Sequence, residues 1–310
     1  MLDLKRLRVL REVAERGSFS GAAESLYVSQ SAISQQISAL EAEVGTPLLL
    51  RLRTGPILTD AGRLLVSHGD AAICRLEQAE RELAELAGLG AGELRLVSFS
   101  SASATIVAAA AKQFAQLHGE IRLSLAEAEP EDSISRLKRG EFDIALAFDF
   151  ELAAFEPDRD LCMTHLLDER MHVALPPDHP LADQRVIRLE QLADDPWLCG
   201  SCESSCRQLT LRSCEQAGFV PDVAYESNDY TVMLALVAAG MGVTLVPDLA
   251  MLIPSPDVPI LEIEPIAPIR RIWASTLGVG ARSAAADAMV EILADVSAEI
   301  VPGPQRAVAA

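Results

Sequence analysis

The chain has 310 residues, half of them apolar and few of them aromatic, and a formal net charge of −19. That length calls for two or three folding units, with sizeable cores built from Ala, Leu, Val and Ile. The charge excludes non-specific nucleic-acid binding by the whole surface, and no apolar run approaches the roughly 20 residues of a membrane span. The acidity is uneven: residues 1–60 hold seven basic and seven acidic side chains, so the whole excess lies in residues 61–310. A neutral head on an acidic body can still present one face to phosphate while the body is held away. The opening MLDLKRLRVLREVAERG is charged throughout and has no signal-peptide core, which predicts a cytoplasmic protein with reduced cysteines.

Leu4, Leu7, Leu10 and Val13 form an apolar stripe at helical spacing, ended by Gly17. Ser18 or Ser20 caps a second helix with a small face of Ala22, Ala23 and Leu26. Tyr27-Val28 turns the chain, and Ser29 caps a third helix from Gln30 to Val44. Its inward residues are Ile33, Ile37 and Leu40, and Gly45 stops it. Two helices joined by a tight turn set the second in the DNA major groove, with its amino-terminal residues on base edges. Those residues are Ser29, Gln30, Ser31, Ser34 and Gln35. Gln bonds adenine bidentately, Ser bonds several bases or a phosphate, and a helix N-terminus favours phosphate. Arg51 and Arg53 fall in the following loop, within reach of backbone or minor groove. An ordinary helical bundle with a polar surface fits the same spacing.

AAESLYVSQSAISQQISALEAEVGTPLLLR, followed by LTDAGRLLV, resembles the winged helix-turn-helix of the LysR-type transcriptional regulators. The matching positions are Ala22, Ala23, Leu26, Ser29, Gln30, Ala32, Ser34, Ile37, Leu40, Glu41, Gly45, Leu48, Arg51, Leu58, Thr59 and Gly62. Leu49 stands where that family usually has Phe, and Pro56 stiffens a wing whose bases are differently spaced.

Thr59 or Asp60 caps a long helix to about Ala87, with Ala61, Leu64, Leu65, Ala72, Leu76, Ala79, Leu83 and Leu86 at roughly helical intervals. Gly88 and Gly90-Ala91-Gly92 end it. Some 28 helical residues span about 42 Å. Such a stripe, isolated, predicts pairing with another chain, the alternative being packing on its own body. The resemblance implies the same pairing, giving a homodimer or homotetramer on double-stranded promoter DNA of two-fold symmetry.

From Glu93 the pattern alternates strands and helices: Glu93–Val97, an Ala-rich helix to Leu117, Ile121–Ala126, a helix Glu131–Arg139 and the strand Phe142–Phe148. A second series comprises Met171–Leu175, Trp197–Cys199, a helix from about Ser205 to Ala217, Asp222–Tyr225, a helix Tyr230–Ala239 and Gly242–Val246. Trp273–Leu277 and a helix Ala284–Ile300 finish the fold. This predicts an α/β class with buried strands. GELRL, LKRGEFDIAL, HVALPPDHPLA and LVAAGMGVTLVP resemble the LysR effector domain in family order, which implies two lobes built like a periplasmic binding protein. The expected extents are 1–59 for the winged helix-turn-helix, 60–90 for the linker helix and 91–301 for the effector domain. Lobe one takes 92–161 with 268–301, lobe two takes 162–267, and 302–310 is a flexible tail.

Ligands in open α/β sheets bind beyond the carboxyl ends of strands, where helix N-termini point inward. Ser100, Ser101 and Ser103 follow the first strand of lobe one; Ser201, Cys202 and Ser204 follow the Trp197 strand; Asn228 and Asp229 precede the helix at Tyr230. Phe148 and Asp149 are expected on the cleft floor. Hydroxyls and N–H groups from both lobes suit a small carboxylate or other polar anion, whereas Glu203 and Asp229 would favour an amine or zwitterion. Plain helix capping is the alternative use of these serines and aspartates.

Cys199, Cys202, Cys206 and Cys214 form C-x2-C-x3-C-x7-C. Cys206 and Cys214 stand about 12 Å apart along one helix, too far for a zinc that holds each sulfur at ~2.3 Å. No metal site and no cofactor are therefore assigned, and the cysteines read as structural thiols. Cys202, near a helix N-terminus, is the expected redox-responsive position if Cys199, Cys202 and Cys206 converge. The expected function is transcription regulation by a small effector. Alternatives are a redox-responsive regulator using those three cysteines and an enzyme with a cysteine nucleophile, for which none of the five histidines is placed as the base.

Overall fold

The computed structural model describes residues 2–52, 55–86, 92–150, 160–202, 204–278 and 282–300. The chain divides near residue 90 into two compact units. In the first, α1 (Leu4–Arg16), α2 (Phe19–Ser25) and α3 (Gln30–Val44) precede an antiparallel hairpin of β1 (Leu49–Leu52) and β2 (Gly55–Leu58). Asp3 caps α1, which ends at Gly17 in the left-handed region (φ 62°). The apolar stripes meet in one core of Leu7, Leu10, Val13, Ala22, Ile33, Ile37, Leu40 and Leu48. The helix α4 (Asp60–Leu86) follows. Gly62, in its first turn, is required sterically, because a Cβ there would lie 2.2 Å from the carbonyl oxygen of Leu48.

The second unit opens with β3 (Glu93–Ser98), α5 (Ser100–Ala102), a π turn (Ser103–Val107), α6 (Ala108–Leu117), β4 (Arg122–Glu127), α7 (Pro130–Lys138) and β5 (Ile144–Phe150). β6 (Leu161–Ala174), β7 (Val186–Ile187), a 3-10 turn (Leu189–Leu192), β8 (Pro196–Cys199) and α8 (Ser205–Gln216) come next. They lead to β9 (Asp222–Glu226), α9 (Tyr230–Ala238), β10 (Thr244–Pro247) and α10 (Asp248–Met251). β11 (Ile260–Ile263), β12 (Ile269–Leu277) and α11 (Ala284–Ile300) complete it.

β3 pairs in parallel with both β4 and β5, and β12 runs antiparallel between β5 and β6. α6 and α11 bury Ala110, Phe114, Met289 and Leu293 in one core with Leu94, Leu96, Ile144 and Leu146. In the second lobe β10 and β11 both run antiparallel to the end of β6, and β8 and β9 form a parallel pair. Trp197 is fully buried there and donates its indole N–H to the carbonyl of Leu192 at 3.1 Å.

Several expected boundaries shift. The strand expected at Met171–Leu175 is the end of the 14-residue β6, and that expected at Trp273–Leu277 begins at Ile269. The expected lobe boundary at 161/162 falls at the start of β6, while the change of strand partners comes near residue 170. Charged side chains inside both strands, Asp168-Glu169-Arg170 and Arg270-Arg271, hide their continuity from the apolar pattern. The expected linker stop at Gly88–Ala91 and the tail 302–310 lie outside the described residues.

Candidate nucleic-acid interface and effector cleft

Ser18 accepts from the N–H of Gly21 (3.0 Å) and starts α2. The turn then carries Tyr27 at φ 54° with its ring almost fully exposed. Ser29 accepts from the N–H of Ala32 (3.2 Å), starts α3, and lies 3.0 Å from the Ser31 hydroxyl. Because Ile33, Ile37 and Leu40 are fully buried, Ser29, Gln30, Ser31 and Gln35 stand exposed, with Ser34 half-buried. Gln30 and Ser34, one turn apart, join Phe19, Leu52 and Pro56 around a surface depression of about 200 Å3. The hairpin is fixed beside α3 by Glu41, whose carboxylate accepts from the N–H groups of Leu48 (2.8 Å) and Leu49 (3.3 Å). Arg6, Arg11 and Arg16 pair with Glu43, Asp70 and Glu12, so much of the head's positive charge is internally neutralised. Arg51 lies in β1 opposite Pro56; its side chain, and Arg53 entirely, lie outside the described residues.

In the second unit the carboxyl ends of parallel strands from both lobes converge on a narrow cavity of about 10 Å3. Phe99, Ser100 and Ser101 follow β3, Glu129 follows β4, and Phe148 stands near the end of β5. From lobe two come Gly200 after β8 and Ser227 and Asn228 after β9, with Cys206, Tyr230 and Met233 on the helices. Arg270 of β12 completes the lining.

Arg270 is the organising residue. It stands directly opposite Glu169 in the β12–β6 register, and its Nε donates to that carboxylate at 2.5 Å with both side chains buried. Its Nη2 donates to the Ser101 hydroxyl at 2.9 Å, and the guanidinium lies about 5 Å from the Phe99 and Phe148 ring centres. Burial would lower its pKa, but the Glu169 carboxylate overrides this and holds it above its ordinary range. The other Glu169 oxygen accepts from the N–H of Leu249 at 2.8 Å, so one ion pair ties α5 to α10. Across the cleft, Glu131 of α7 accepts from the N–H (2.7 Å) and hydroxyl (2.5 Å) of Ser205 at the start of α8. Burial, reinforced by Glu131, pushes Glu129 up to about 7. Burial likewise pushes the Cys206 thiol up to about 11, and the Tyr230 hydroxyl donates to its sulfur at 3.6 Å.

Residues 4–63 match the family model described as bacterial regulatory helix-turn-helix protein, lysR family, and residues 87–298 match the LysR substrate binding domain. The chain belongs to the LysR family. It is 30% identical over 260 residues (80% of this chain, 82% of the other) to the HTH-type transcriptional regulator AlsR of Bacillus subtilis. It is 33% identical over 250 residues (79% and 78%) to a probable hydrogen peroxide-inducible genes activator of Mycobacterium avium. Its fold is that of full-length OxyR from Pseudomonas aeruginosa (TM-score 0.64, 22% identity, 96% and 95% covered) and of CbnR, a LysR family transcriptional regulator (0.63, 21%, 96% and 99%). This LysR-family chain is thus a DNA-binding transcriptional regulator with an effector-binding domain. Among the described residues no helix is long and apolar enough to cross a membrane.

Of the cleft residues expected in this LysR-type regulator from its sequence, Ser100, Ser101, Phe148 and Asn228 line the cavity together. The rest are placed elsewhere. Ser103 lies in the π turn, half-buried. Asp149 points to the opposite face of β5 from Phe148 and accepts from Arg271 (2.9 Å) and the Trp273 indole (3.3 Å). Ser201 positions Asn228 through a reciprocal pair: its N–H donates to the amide oxygen (2.9 Å) and its hydroxyl accepts from the amide nitrogen (3.0 Å). Ser204 caps α8 through the N–H of Arg207, and Asp229 caps α9 through that of Thr231. Cys202 is exposed, with its thiol 3.6 Å from both Glu226 oxygens. Glu203 is outside the described residues. Gly200 admits no side chain, since a Cβ would meet the Ser204 hydroxyl at 2.2 Å and the Asn228 amide oxygen at 3.1 Å. Arg270, Glu129 and Tyr230 went unpredicted; the signal for Arg270 was a charged pair inside the otherwise apolar run IRRIWASTL.

Proposed function

We propose that the α3 face of Ser29, Gln30, Ser31, Ser34 and Gln35 reads promoter bases, with Arg51 and Arg53 on the flanking backbone. The linker, residues 60–90, pairs copies into a homodimer or homotetramer, supported by Leu64, Leu76 and Leu83 standing exposed on α4. Residues 91–301 bind a small effector between two lobes that divide within β6 and between β11 and β12. The reading places the protein in the cytoplasm. The observation that carries it is the convergence of both lobes' strand ends on one cavity, with Glu131 reaching from one lobe to the start of α8 in the other.

The chemistry favours a small carboxylate. Ser100, Ser101 and Asn228 supply hydroxyl and amide groups, and a partly protonated Glu129 can donate to an anion. Ligand would then set the angle between the lobes and so the spacing of the DNA heads. Enzymatic and redox readings stand behind this one. Burial pushes the thiols of Cys199 and Cys206 up to about 11 and that of Cys214 up to about 12, which keeps them protonated and poorly nucleophilic. No histidine is among the cavity's described lining residues. A thermal-shift screen of small carboxylates, followed by a gel-shift with the DNA upstream of the chain's own gene, tests the reading. A carboxylate that stabilises the chain and alters the shift is the expected result; no shift with that DNA contradicts it.

A further inference from the structure

A second cavity opens between the carboxyl end of α8 and the crossover from β11 to β12, and it shares no lining residue with the cleft. Its volume is about 470 Å3, against about 10 Å3 for the cleft. Small-molecule pockets commonly run about 300–1,000 Å3. One wall is a single face of α8 and its cap: Leu209, Ser213, Gln216 and Ala217. The other is the run Ile263–Ile269, apolar except for Glu264. Ser213 is 5% exposed and its hydroxyl has no hydrogen-bond partner. Buried hydroxyls ordinarily find one; this oxygen is itself closed to water, so meeting a ligand requires rotation about its one side-chain torsion. The other unpartnered buried atoms among the described residues, on Arg11, Ser275 and Arg282, line neither cavity.

We propose that this cavity is a second small-molecule site, for an uncharged molecule with an apolar body and one hydroxyl or carbonyl group that bonds Ser213. A charged ligand is disfavoured by the walls of Leu209, Ile263 and Ile269, which would strip its water. At the rim Arg188 is already paired with Glu190 at 2.9 Å, and Glu264 adds a negative charge. The occupant lies against one of the two strands that cross between the lobes. Its binding therefore biases the lobe angle from outside the cleft, by differential contact with the two arrangements.

The test is methyl NMR on the full-length chain labelled at Ile and Met, with benzyl alcohol as the probe and toluene as its hydroxyl-free counterpart. Benzyl alcohol is expected to move the methyls of Ile263, Ile266 and Ile269 and to leave Met233, in the cleft, unmoved. Ser213→Ala is expected to weaken benzyl alcohol about tenfold and leave toluene unchanged. Ala217→Leu, which fills the cavity, is expected to abolish both. No Ile shift with benzyl alcohol, shifts centred on Met233, or equal affinity in Ser213→Ala would overturn the proposal. So would Ile shifts that grow with protein concentration without probe, since a second copy of the chain would then occupy the groove.

Discussion

Glu129 carries a carboxyl group that burial, with Glu131 nearby, pushes up to about 7. The folded state therefore holds this proton more tightly than the unfolded chain. The resulting penalty is absent at low pH and grows as pH rises through the window between the ordinary carboxylate value and about 7. Glu129→Gln should match the parent's Tm below about pH 4 and exceed it by a few degrees at about pH 8, read by calorimetry. Arg270 and Glu169 make the opposite case, a paired buried charge. Arg270→Met, which strands Glu169, should cost about 3–5 kcal/mol in urea denaturation. The double change with Glu169→Leu should recover most of it. Legibility in the sequence follows from the same distinction. Ser100, Ser101 and Asn228 were legible because they sit directly after strands or before a helix. Arg270 was not, because its role depends on the β12–β6 pairing far apart in sequence; Glu129 also lies between a strand and a helix, but its raised carboxyl comes from burial that local sequence does not display.

At the scale of elements, α3 was readable end to end. Ser29 and Gly45 are local caps, and Ile33, Ile37 and Leu40 repeat with the helical period. β6 was not, because it serves two lobes in turn and its middle carries the charges that tie them. Gln30→Ala should lose about 1–3 kcal/mol of discrimination against a changed base pair while leaving the fold intact, measured by anisotropy on paired operators. On α4, Leu76 and Leu83 stand one heptad apart and exposed. Leu76→Glu with Leu83→Glu should give monomers in sedimentation and weaken operator binding at least as much as Gln30→Ala. Unchanged mass would contradict the role given to that stripe.

For the whole molecule, the charge pattern and the cleft bear on the same question. A head without net charge, whose reading face is uncharged from Ser29 to Gln35, gains little from general attraction to phosphate, and the acidic body is repelled by it. Specific binding then rests on the geometry with which paired heads meet the operator. The lobes can set that geometry through Glu131 of α7, which holds the start of α8, and through Glu169–Arg270 in the crossover strands. The most direct test is the bend and footprint of the chain on its own promoter DNA, with and without a carboxylate that raises its Tm. The ligand is predicted to change both in the parent chain and neither in Ser100→Ala with Asn228→Ala. An unchanged footprint in the parent, or the same change in the double variant, would contradict control from the cleft.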